Sequence, residues 1–132
     1  MSRRRPIRSE VWEAEPVWTR ARVLRDGDGE AAQISDISSW GVWVYDLGAA
    51  RRATQVYAIS DQAPSDGSWY DTLQTSGWTT DAVGYNFAHA LQPSDMTLLG
   101  DRAHRAEYRI VTVSDGTIVL VHEFEVQGLY SS

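Results

Sequence analysis

The chain contains no cysteine. That excludes disulfides, thiolate catalysis and cysteine-ligated zinc, and it leaves the redox compartment open. It contains no lysine either, since all 12 basic residues are arginine. Arginine forks make ordered, bidentate contacts that a lysine ammonium does not. Long apolar runs are missing too. The most apolar stretch, residues 118–121, is far short of the roughly 18 residues that span a bilayer, so a membrane is not an expected partner. Arg3, Arg4, Arg5 and Arg8 make the start basic, but no apolar segment follows them, which argues against a signal peptide. No internal repeat, low-complexity segment or convincing helical period is present.

What remains is one domain's worth of chain. At 132 residues with 42% hydrophobic content it can bury a real core. The formal net charge is −6, but its distribution is uneven. Without the four N-terminal arginines, eight arginines face 18 acids, a balance of −10. Such a body repels nucleic acid at long range, whereas the basic start suits an acidic surface.

Residues 1–10, with Pro6 and a charge run, read as an N-terminal arm, and residues 11–132 read as the folded domain. From Val11 onward, short β-type segments alternate with Gly, Asp, Pro and Ser punctuation. Residues 17–25 place Val17, Thr19, Ala21 and Val23 on one side and Trp18, Arg20, Arg22 and Leu24 on the other. Asp26, Gly27, Asp28 and Gly29 then supply a tight turn. Residues 41–45 and 53–59 predict further strands. Residues 60–80 are polar and predict a long loop holding at most one short strand, although they include Trp69, Tyr70 and Trp78. Strand character returns over 84–91, and residues 93–100 predict a crossover.

The clearest pattern is a β-hairpin, with strands over 105–113 and 117–127 around Ser114, Asp115 and Gly116. Ile118, Leu120, His122, Phe124 and Val126 alternate with Val119, Val121, Glu123 and Glu125. Seven or so strands without a long helix predict an all-β, Ig-like antiparallel β-sandwich with an extended N-terminal arm. The Cys–Trp–Cys framework of antibody domains is absent, and Tyr108 is a candidate for a tyrosine corner.

Catalytic and metal chemistry find little footing. Asp26, Asp28 and Glu30 lack the further acids of an EF-hand loop and read as a solvated turn. His89, His104 and His122 have no metal-ligand spacing, and His122 falls on an apolar strand face, where a hydrogen-bonded core histidine is expected. No serine sits in a nucleophile elbow. No catalytic residue, metal ligand or cofactor is therefore assigned. Trp40 and Trp43 are expected in the core. Trp12, Trp18, Trp69, Tyr70 and Trp78 are candidate partner-binding aromatics, to be weighed against simple folding back over the core ends. Arg3, Arg4, Arg5 and Arg8 complete the candidate partner-binding set.

The stretch from Ile34 to Gly48, ISDISSWGVWVYDLG, resembles a turn-into-strand segment of the small Ig-like domains of tailed-bacteriophage virions. Gly84-Tyr-Asn-Phe and the hairpin AEYRIVTVSDGTIVLVHEFEV, residues 106–126, are similar to the terminal hairpin of those domains. The resemblance covers residues 17–127, apart from the aromatic-rich 60–80 segment. It implies a virion structural protein without catalysis or cofactor, such as a capsid decoration or cement protein. The implied partners are a major capsid protein or neighbouring subunit, with homo-oligomers on the lattice. In that role the N-terminal arginines pair with carboxylates, and repetition strengthens each weak contact. A tail, baseplate or fibre component, or a carbohydrate-binding module using the loop aromatics, is the alternative expectation.

Overall fold

The computed structural model describes residues 7–12, 15–25, 28–48, 54–92, 102–114 and 116–127. Eight strands form two sheets: β1 (Ile7–Trp12), β2 (Val17–Ala21), β3 (Ile37–Asp46), β4 (Thr54–Gln62), β5 (Trp69–Gln74), β6 (Tyr85–Leu91), β7 (Arg102–Thr112) and β8 (Thr117–Gln127). A three-residue 3-10 turn at Ile34–Asp36 leads into β3. The larger sheet has the order β1-β8-β7-β3-β4 and the smaller β2-β6-β5. With β2, β3, β6 and β7 as strands B, C, E and F, these orders match the two sheets of an immunoglobulin-type sandwich, with β4 the extra strand beyond C.

Alternation builds the core. In β8, Ile118, Leu120, His122, Phe124 and Val126 are buried, while Val119 and Glu125 are exposed. Val17, Thr19 and Ala21 of β2 face them from the other sheet, and Trp18 points outward. Trp40 on β3 lies between the sheets at 2% exposure, packed edge-on to Phe87 and His89 and stacked with Tyr108. Asn86 on β6 closes one end: its side chain accepts from the Val23 N–H and donates to the carbonyls of Val23 and Ala32.

Several expectations change. The boundary at residue 10 falls inside β1, which runs parallel to β8 with Ile7 opposite His122 and Val11 opposite Val126. The larger sheet is therefore mixed, and Arg8 sits on a strand instead of a loose arm. Arg3, Arg4 and Arg5 lie outside the described residues, as does the 93–100 crossover. The strand expected over 17–25 stops at Ala21, and the chain turns back through a lone bridge between Leu24 and Ala31. There Asp28 pairs with Arg25 at 2.7 Å, so the turn acid is engaged by a guanidinium. Trp43 is not core: it lies on the outer sheet face under the Arg109 guanidinium, 4.2 Å away, because β3 alternates and Val42 and Val44 take the inner positions. Tyr108 is mid-strand, fully buried, and its hydroxyl bonds His89 Nδ1 at 3.0 Å, so it forms no corner. Two irregularities interrupt the β3–β4 register, and Asp61 there has a φ of 54°. These break up the outer edge of a strand that otherwise invites pairing.

Candidate binding surfaces

A polar seam crosses the interior near the β1 edge. The Ser9 hydroxyl lies 2.6 Å from His122 Nε2, and His122 Nδ1 is joined to the Thr19 hydroxyl at 2.8 Å. Thr19 also acts on the Tyr108 hydroxyl, whose pKa burial raises and Thr19 partly lowers. Tyr108 in turn meets His89. Antibody domains join their sheets by a disulfide against a strand-C tryptophan. Here hydrogen bonds beside Trp40 make the corresponding link. Burial pushes the His122 pKa down to about 4. A base that weak is poorly matched to general-base work near neutrality, and a hydroxyl, not a carboxylate, holds its second nitrogen. The arrangement suits a clasp that fastens β1 to both sheets. Among the described residues, no group of three or more His, Asp or Glu is placed to hold a metal ion.

The outward side of β1 forms one surface. Arg8 is 77% exposed and only 3.6 Å from Glu123, and Trp12 is 54% exposed. An open groove of about 470 Å³ runs beside Arg8, lined also by Ser9, Glu10, Ala103, Glu123, Phe124 and Glu125. A surface ion pair of this kind stabilises little, which leaves the guanidinium available to a better carboxylate.

A second surface lies on the outside of the smaller sheet. Trp18 and Arg20 project from alternate positions of β2, and Arg22 follows just past its end. The Arg20 guanidinium stacks 4.7 Å from the Trp18 ring centre and 5.9 Å from that of Tyr85. Trp78 and Tyr70 pack on the same Tyr85 ring, with centroids 5.5 and 6.2 Å away. Asp81 organises the loop beneath them. It accepts from Trp78 Nε1 at 2.9 Å and from the N–H groups of Val83 and Gly84, and it pairs with Arg22 at 2.9 Å. The Trp78 bond first, and the backbone bonds with it, hold the Asp81 carboxyl well below the usual range.

Of the aromatics expected to bind a partner, Tyr70 and Trp78 thus pack on one tyrosine, Tyr85, and Trp18 is joined to it through Arg20. Trp12 stands apart on β1. Trp69 is at 3% exposure, tilted against Phe87 in the core, and is not available as a surface. Its strand, β5, is the short strand expected within residues 60–80. Arg20, Tyr85, Arg22 and Asp81 are the residues that sequence reasoning passed over. The alternation Trp18, Arg20, Arg22 carried the signal for two of these four, Arg20 and Arg22, once the inward partners Val17, Thr19 and Ala21 were fixed. Fold and surfaces together define an immunoglobulin-type sandwich with one strand-edge surface and one aromatic–arginine face. Comparison with family models and with curated proteins finds no match.

Proposed function

We propose that the protein is a non-catalytic structural component of a virion, a decoration or cement protein that attaches to the particle through its N-terminal segment and the adjoining edge of the larger sheet. The observation that carries this reading is the placement of β1. An N-terminal strand is locked onto the C-terminal strand β8, and it turns Arg8 outward into an open groove, with Trp12 exposed at the end of the same strand. Arg3, Arg4 and Arg5 immediately precede that strand in sequence. The four arginines and the exposed indole suit a partner bearing carboxylates, such as a major capsid protein or neighbouring subunit, while Glu10, Glu123 and Glu125 of the groove are left to meet that partner's cations. Repetition over a lattice, or a homo-oligomer of the domain, multiplies the contact.

The test is co-sedimentation with the capsids of the phage that carries the gene. Three proteins are compared: the full chain, a chain lacking residues 1–6, and the double variant Arg8→Ala/Trp12→Ala. Deleting residues 1–10 instead would remove Ser9 and most of β1, confusing attachment with folding. Stoichiometric sedimentation of the full chain, lost in both variants, is expected; equal sedimentation of all three, or of none, refutes the proposal. A second reading, carbohydrate binding, is favoured by Trp18, which is half exposed on the opposite sheet.

A further inference from the structure

We infer that the outer face of β2 and β6 is a binding site for an acidic sugar, in which the Arg20 guanidinium takes the ligand carboxylate and the Trp18 indole takes the sugar ring. The inference rests on the carbohydrate reading above and names its ligand class; it is independent of attachment through β1.

Two arginines share this face and differ in one respect. Arg22 has found its partners, the Asp81 carboxylate and the Gly84 carbonyl. Arg20, two residues earlier on the same side of the strand, has no hydrogen bond and no carboxylate among the described residues, and its Nε–H is buried without an acceptor. That N–H is closed to solvent, whereas the two terminal nitrogens, which make no hydrogen bond among the described residues either, are not, so these are the donors an incoming acceptor meets. The guanidinium is nonetheless held in place. Trp18 and Tyr85 flank it, and Gly77 lies so close that a Cβ there would come within 2.9 Å of Arg20 Cζ. A planar cation fixed by stacking, with its donors unspent, is organised in advance for a carboxylate.

The neighbouring ring decides which carboxylate. Trp18 is half exposed beside the cation, so a ligand that reaches Arg20 also meets an open indole. Aromatic surface of this kind suits the C–H face of a pyranose, with a polar group fixing orientation. The net charge of −6 adds a filter. A chain of dense sulfate or phosphate is repelled by the whole body, whereas a sugar carrying sparse carboxylates meets the local guanidinium without that penalty.

The experiment is a titration of the full chain at low salt, followed by calorimetry and tryptophan fluorescence. The probes are a tetrasaccharide of alternating glucuronic acid and N-acetylglucosamine, the same tetrasaccharide with its carboxyls reduced to alcohols, and a capped Gly-Glu-Gly peptide. The acidic tetrasaccharide is expected to saturate and to shift tryptophan emission. Its reduced form should bind about tenfold more weakly or worse, and the peptide should not bind. Arg20→Lys and Trp18→Ala should each weaken the acidic sugar by about tenfold or more. Trp18→Phe, which keeps a ring, should retain most of the affinity, and unchanged melting curves show that the variants fold. Equal binding of the acidic and reduced sugars, or no loss in Arg20→Lys, overturns the inference while leaving carbohydrate binding in place. No binding of either sugar overturns both, and peptide binding through Arg20 as tight as that of the acidic sugar replaces the sugar with a protein carboxylate.

Discussion

His122 makes the stability of this sandwich depend on pH in a window where carboxylates do not. Its ring is 1% exposed and joined on both nitrogens, to Ser9 and to Thr19. Burial lowers its pKa from 6.5 to about 4, so the folded protein takes up the proton less readily than the unfolded chain. The sign follows directly. Stabilisation by the neutral ring is complete above the unfolded value and is lost as pH falls toward the folded value. Between pH 7.5 and 4.5 the loss amounts to about 2–3 kcal/mol, at roughly 1.4 kcal/mol for each pH unit separating the two pKa values. Asp28 and Asp81, both held below the ordinary carboxylate value, stay ionised throughout this window and contribute nothing to the slope. The assay is urea unfolding followed by tryptophan fluorescence at pH 7.5, 6.5, 5.5 and 4.5, in wild type and His122→Gln. The glutamine amide keeps a polar partner for the two hydroxyls but cannot titrate. His89 and His104 are common to both proteins, so the difference between the two profiles belongs to His122. Wild type should lose about 2–3 kcal/mol more than His122→Gln between the extremes. Parallel decline in the two proteins, or an NMR titration of His122 near 6.5, refutes the reasoning.

Asn86→Ala leaves the Val23 N–H without its side-chain acceptor and removes two donated bonds, so it should cost about 3 kcal/mol in the same unfolding assay. Trp69→Ala should cost about 3–5 kcal/mol by opening a cavity against Phe87. Trp69→Phe should cost far less, because the indole Nε1–H is buried without an acceptor and nothing is lost with it. Gly84→Ala should lower the melting temperature sharply, since φ is 114° and a Cβ would lie 2.5 Å from the Gln74 carbonyl oxygen. Asp81→Asn should alter Trp78 emission by disturbing its bond to Asp81 while leaving the His122-dependent slope unchanged, as read by fluorescence and pH-dependent unfolding.

Most of the sandwich was legible because period-two alternation leaves a strong trace. The β8 pattern from Ile118 to Val126 and the turn at Gly116, where φ is 83°, fix the terminal hairpin, and the buried hydrogen-bonded His122 follows from its place in that pattern. β1 was hidden by its own charge. Ile7, Ser9 and Val11 alternate with Arg8, Glu10 and Trp12, but a strand with only two apolar inward residues among arginines resembles a solvated tail. Its third inward residue, Ser9, belongs there only because His122 awaits it from β8, a long-range fact that no local pattern contains. Trp43 was misplaced for a related reason. A run of apolar residues on β3 does not reveal which parity faces inward, and Arg109, 66 residues away, is what covers the ring. The aromatic face of the smaller sheet depended on the same kind of information. Trp18 and Arg20 stand two residues apart on one strand, but Tyr85, Trp78 and Asp81 arrive from another strand and its loop.

The most direct test of attachment through β1 is hydrogen–deuterium exchange by mass spectrometry on the protein alone and bound to capsids. New protection confined to peptides covering residues 7–12 and 117–127, with the 18–22 and 76–85 peptides unchanged, is the predicted result. Protection over Trp18, Arg20 and the 76–85 loop, with β1 unchanged, would contradict it and place the particle contact on the aromatic–arginine face instead.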